Sequence, residues 1–111
     1  MEFNKLNKHL EEILIAVSNI EVSTKGIEAK QYSNYEISWI VERGIEIIAE
    51  ALKRILALDQ NIQITNTQKI IATSNKITHE YDVIDDYQLY IIVVKYLPIL
   101  KTEVETILNS K

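Results

Sequence analysis

The residues best suited to chemistry lie in one stretch, IIATSNKITHEYD, residues 70–82. It carries His79, one of two histidines in the chain, and the phenol Tyr81, and it is preceded by the polar run Ser74, Asn75 and Lys76. On a helix Asn75 and His79 are four apart and share a face, and Lys76, three before His79, lies close to it. Ile70, Ile77 and Tyr81 fall on a more apolar side. An imidazole ionises near neutral pH, so His79 can take a proton from a hydroxyl or return one. A lysine beside a neutral imidazole suits an anionic substrate such as a phosphodiester, and this chemistry needs no metal. A histidine at a helix end also serves as a cap that complements the dipole. On these residues alone that plainer role carries more weight.

Little else competes. The chain has no cysteine, which excludes disulfides and thiolate zinc sites and fits a reducing compartment. It has no glycine-rich phosphate loop and no His or carboxylate cluster at metal-ligand spacing, so neither metal nor cofactor is expected. The carboxylates are scattered, without an acid–base pair. His9 borders the apolar stripe of the first helix and reads as solvated. Arg43 with Glu46 or Glu50 reads as an ordinary ion pair along the helix. Tyr87, Tyr90 and Tyr96, like Tyr81, read as core or interface aromatics. The net charge of −4 denies the chain an overall field that attracts nucleic acid, leaving only a local basic site. No apolar run approaches the roughly 20 residues of a membrane span, and the amphipathic, acid-bearing N-terminus MEFNKLNKHLEEI is unlike a secretory signal. A soluble cytoplasmic protein is the expectation.

These residues must be held by helices. At 111 residues the chain predicts one domain, 1–111, and its two glycines and one proline argue against an all-β fold. Leu6, Leu10, Ile13, Val17 and Ile20 make one stripe of a first helix over residues 4–24, ended by Lys25-Gly26. Residues 28–34 form a short connection or the start of the next helix. Ile37, Val41, Ile45, Ile48, Leu52 and Ile55 carry a second, longer helix to Leu58, with a face broad enough to be buried on two sides. Gly44 inside it costs about 1 kcal/mol, which a close approach to another helix would explain. Residues 59–67 read as a loop with a very short candidate strand at 63–65. Asn66 or Thr67 then caps a third helix over residues 68–80. An acidic turn, residues 82–86, precedes a fourth helix carrying Leu89, Ile92, Tyr96, Leu100, Val104 and Leu108. Pro98 in its middle predicts a kink near residues 94–97. The fold class is all-α, an antiparallel four-helix bundle with room for one extra short helix.

Three segments in this order resemble a known family. VERGIEIIAEALKRI is similar to the pattern Arg-x-Leu-Glu-x-Ile-Gly-Glu-Ala, with Ala49 in place of its glycine. NKITHEYDVID resembles Arg-Asn-x-x-x-His-x-Tyr followed by an acidic turn. LYIIVVKYLPILKTEVETIL resembles a final helix with a Leu-Pro kink. From about Ser38 onward the chain is thus identified as a member of the HepT-like branch of the HEPN superfamily.

The resemblance implies an all-α homodimer whose motif residues face each other across a cleft. It implies a metal-independent endoribonuclease acting on RNA such as tRNA or mRNA, a toxin in many systems. A small nucleotidyltransferase of the MNT type is then the antitoxin, silencing the nuclease by attaching AMP to the motif tyrosine. By position His79 is the catalytic histidine, Tyr81 the AMPylated tyrosine and Asn75 the motif asparagine. Arg43 and Glu50 match further polar positions of the second-helix pattern; Arg43, together with Lys76 on the His79 side as a point charge, is a candidate for substrate binding. Ser74 occupies the place of the motif arginine. Arginine offers a charged, forked donor to phosphoryl oxygens, and serine does not. Loss of one such donor costs about 10²–10³ in rate. The alternative implied is a non-catalytic HEPN dimer that partners a nucleotidyltransferase.

Overall fold

The apolar periodicity of the chain is realised almost entirely as helix. A computed structural model describes residues 2–78 and 85–110. The first helix, α1 (Glu2–Thr24), buries Leu10, Ile13, Val17 and Ile20 completely. It ends at Gly26, whose φ of +75° is the left-handed conformation that glycine adopts without penalty. The connection is a 3₁₀ turn (Ala29–Ser33) that drives Tyr32 into the core. Asn34 caps the second helix, α2 (Tyr35–Leu58), its side chain accepting from the N–H groups of Glu36 at 2.9 Å and Ile37 at 3.2 Å. The cap starts α2 two residues before its first apolar position.

Helix α2 is the central element and packs against α1 on one side and the third helix, α3 (Thr67–Thr78), on the other. Gly44 explains the closeness to α1. A Cβ built there would lie 2.5 Å from Ile20 Cδ1 and 2.7 Å from Cγ1, so a side chain at this position has no room.

The expected short strand at residues 63–65 is absent among the described residues. Instead Ile64 plugs into the core and Glu103 holds the loop, accepting from the Thr65 N–H at 3.0 Å and the Thr65 hydroxyl at 2.7 Å. Asn66 precedes α3 with φ +61°, and its carbonyl accepts the first helical bond from Ile70 at 3.2 Å. Its side-chain amide donates to Thr65 Oγ1 at 3.3 Å, so Asn66 caps with its backbone rather than its side chain.

The expected fourth helix is broken where the proline requires it. It comprises α4 (Asp86–Ile91), a π-helical turn (Ile92–Tyr96) and α5 (Leu97–Asn109). Asp85 caps α4 by accepting from the Tyr87 N–H at 2.7 Å. Pro98 brings no N–H, so the Val94 carbonyl loses its partner four residues on. The chain widens just before it, and the Leu97 N–H reaches back five residues to Ile92 O. Pro98 therefore sits in the first turn of α5, not mid-helix, and the kink is a π-turn.

The molecule measures 42 × 30 × 19 Å. Its thinnest dimension equals about two helix diameters, so one apolar seam between two helical layers forms the core of this all-α bundle.

Candidate functional site

Helix α3 is the hinge of the site because its two sides face different cavities. Ile70 and Ser74, one turn apart, both turn toward the core; Ile70 is fully buried and Ser74 is 6% exposed. The hydroxymethyl group is small, and it leaves space where a longer side chain would fill the boundary between α2 and α3. A cleft of about 580 Å³ opens there, walled by α1, α2 and α3. Ser74, Asn75 and Thr78 line it from α3, Arg43, Glu46 and Glu50 from α2, and Glu12 and Asn19 from α1. Ser74, Asn75 and Arg43, singled out from the sequence, thus come together.

The cleft's charges are compensated. Its basic residues are Arg43, Lys53 and Arg54, its acidic ones Glu12, Glu46 and Glu50, so the formal charges of the lining cancel. Arg43 Nη1 lies 3.9 Å from Glu46 Oε1, and Arg54 Nε lies 3.4 Å from Glu50 Oε2. The Arg54–Glu50 pair is exposed and the Arg43–Glu46 pair long and open on the arginine side, so both are weak. The expected pairing of Arg43 with its neighbour one turn on is therefore present but loose, leaving the guanidinium free to reach an anion. Glu46 also accepts from the Thr78 hydroxyl at 3.1 Å, tying α2 to α3. One turn before it, partial burial pushes the Glu42 carboxyl above its ordinary range, and the charge of Glu46 adds to this.

Lys76 lies elsewhere. With Lys69, Thr73, Tyr87 and Gln88 it lines a second, smaller groove of about 230 Å³ between α3 and α4. Asn75 and Lys76, adjacent in sequence, open onto different cavities, and Lys53 and Arg54 are separated from Lys69 and Lys76 in the same way. His79 and Tyr81 lie outside the described residues.

His9 is not simply solvated. Its side chain is largely buried against the stripe it borders, with Nδ1 2.9 Å from Glu12 Oε1. Glu12 in turn lines the cleft, so the ring props one of its walls. The contribution of α1 was not evident from any motif. The available signal was Ile15, an isoleucine off the buried stripe, which is 62% exposed and forms an apolar rim with Ile47. Among the described residues no three His, Asp or Glu side chains come together as a metal-binding group. Among the same residues no helix is long and apolar enough to cross a membrane.

Comparison with curated proteins and with solved structures gave no match. A family model described as ribonuclease HepT-like matches residues 13–107, which takes in all three walls of the cleft. The chain therefore belongs to the HepT-like ribonuclease family.

Proposed function

We propose that this chain is the ribonuclease component of a toxin–antitoxin pair, with a catalytic cleft weakened by Ser74. The observation that carries the reading is the convergence of Ser74, Asn75 and Arg43 on one cleft in a chain of this family. His79, as general base, accepts the proton of an RNA 2′-hydroxyl; that oxygen attacks the adjacent phosphorus. The P–O5′ bond breaks and the 5′-oxygen takes up the proton that the His79 imidazolium returns, leaving a 2′,3′-cyclic phosphate and a free 5′-hydroxyl. Negative charge grows on the phosphoryl oxygens, where a preorganised cation matters most. Arg43, loosely held by Glu46, is one of the three cations that line the cleft and supplies that charge. Asn75 supplies a neutral amide donor. No metal enters this scheme.

Homodimerisation fits the surface around the cleft. Ile15, Ile47 and Trp39 expose apolar area there, Trp39 at 58% and one turn before Arg43 on the same helix. A second copy laid over this rim would bury it and bring two clefts together. In this reading an MNT-type nucleotidyltransferase is the antitoxin, and it silences the enzyme by placing AMP on Tyr81 in the cytoplasm. Ser74 favours a second reading, in which the dimer retains the partner but has lost catalysis.

The test is incubation of the purified chain with total RNA and with tRNA in the presence of a chelator, beside His79→Ala and Ser74→Arg. Cleavage to cyclic-phosphate ends is expected, lost in the first variant and increased in the second. No cleavage by any of the three, combined with a mass increase on co-expression with an MNT-type nucleotidyltransferase, would establish the second reading instead.

A further inference from the structure

We infer that the groove between α3 and α4 is a second contact for single-stranded RNA, in which Lys69 and Lys76 take phosphates and Tyr87 stacks a base. The inference rests on the RNA reading of the cleft but concerns the other side of α3. Lys69 and Lys76 are seven residues apart, two turns on one helix face and about 10 Å along its axis. Both are exposed and both line the groove, and none of its described lining residues is acidic. Asp85, two residues before Tyr87, accepts from the Tyr87 N–H at 2.7 Å. The Lys69 ammonium sits 5.8 Å from the centre of the Tyr96 ring, which keeps it over the protein rather than free in solvent.

Tyr87 is the unexpected member. It is 60% exposed, whereas Tyr90 and Tyr96 are half-buried. Its ring is backed by Tyr90 at 6.1 Å, and Tyr90 meets the buried Tyr32 edge-on at 5.6 Å. An exposed ring fixed from behind by a row reaching the core is a preorganised platform for a planar ligand. A cationic groove beside an aromatic face is the combination that holds single strands without regard to sequence. An acidic chain would otherwise repel such a ligand, so a groove whose described lining carries two lysines and no carboxylate stands out.

The test is binding of a fluorescent 15-nucleotide single-stranded RNA, followed by anisotropy over a range of salt. The chain is compared with Lys69→Ala/Lys76→Ala, with Tyr87→Ala and Tyr87→Phe, and with Lys5→Ala/Lys8→Ala. The last pair removes two exposed lysines from α1 and matches the charge change. Loss of two phosphate contacts should weaken binding roughly twentyfold at 0.1 M salt and flatten the logarithmic salt slope by about 1.4. Tyr87→Ala should cost about tenfold, and Tyr87→Phe should retain the affinity. If the chain binds but the groove pair behaves like the α1 pair, the groove inference is overturned while the RNA reading stands. If the chain binds no RNA at all, the RNA reading fails and the inference with it. Adenosine monophosphate binding the groove as tightly as the strand would overturn the strand in favour of a mononucleotide site.

Discussion

The two faces of α3 make opposite use of charge. On the α2 side the cleft holds three cations and three carboxylates, and two of the cations, Arg43 and Arg54, lie beside a glutamate about one turn away. On the α4 side two lysines stand without a carboxylate among the groove's described lining and beside an exposed tyrosine. A net charge of −4 says nothing about this division. What matters is whether each cation already has a partner one turn away. A compensated cleft presents little field to a distant anion and acts through placed donors. A groove whose described lining is cationic acts through its field and loses its hold as salt rises.

The comparison is tested most severely at Ser74. Ser74→Arg would place an unpaired cation in the compensated cleft, where phosphoryl charge is expected to develop. RNA cleavage should rise by about 10²–10³, the worth of one preorganised donor, with the salt slope of groove binding unchanged. The position is nearly buried, so the guanidinium must extend through the space that serine leaves. Failure of Ser74→Arg to gain activity, with the fold intact by circular dichroism, would show that the missing charge is not what limits this chain.

The rim provides the next largest effect. Trp39→Asp puts a charge into the apolar surface around the cleft and should weaken self-association about a hundredfold, read by sedimentation or light scattering across concentration. The groove lies on the other side of α3, so binding of single-stranded RNA there should survive the change. A Trp39→Asp protein as dimeric as the parent would remove this rim from the dimer.

Much of this was legible in the chain. The apolar stripes fixed α1 and α2 to within two residues, and Asp85 and Gly26 mark ends that turn chemistry alone predicts. Pro98 announced a break, but spacing could not say that the backbone would absorb it as a π-turn, because that depends on which carbonyls find new donors. The site was only partly legible for a similar reason. A helical wheel groups Asn75 with Lys76, 100° apart, yet a helix packed on both sides divides residues by the neighbour they meet. The placement of Glu12 and Asn19 depends on the crossing of α1 over α2, which no single helix encodes. Tyr87 escaped because an exposed tyrosine and a buried one share the same sequence signal.

Gly44 tests that crossing directly. Added bulk meets the side chain of Ile20, which is fully buried and must shift to make room. Gly44→Ala gains about 1 kcal/mol of helix propensity but incurs overpacking of about 1–3 kcal/mol. A net loss of about 1 kcal/mol is expected in urea unfolding. Because α1 walls the cleft and not the groove, cleavage should fall further than groove binding. Equal losses in both would mean that the two faces are not mechanically separate.

The smallest effect distinguishes the faces by pH. Partial burial raises the Glu42 carboxyl above its ordinary value of 4.5, and Glu46 one turn on reinforces the shift. The folded chain therefore prefers the protonated form more than the unfolded chain does. Stability from this preference is complete below pH 4.5 and is lost as the pH climbs through the raised folded value. At neutral pH the ionised Glu42 works against folding. Glu42→Gln should accordingly raise the urea midpoint at pH 7 and give no advantage once the pH falls below the ordinary carboxylate range. An equal gain at both pH values would mean that packing, not ionisation, separates the two side chains. Removing this charge beside Arg43 should also ease anion approach to the cleft at pH 7 and leave the lysine groove unaffected, because the groove's cations have no link to Glu42.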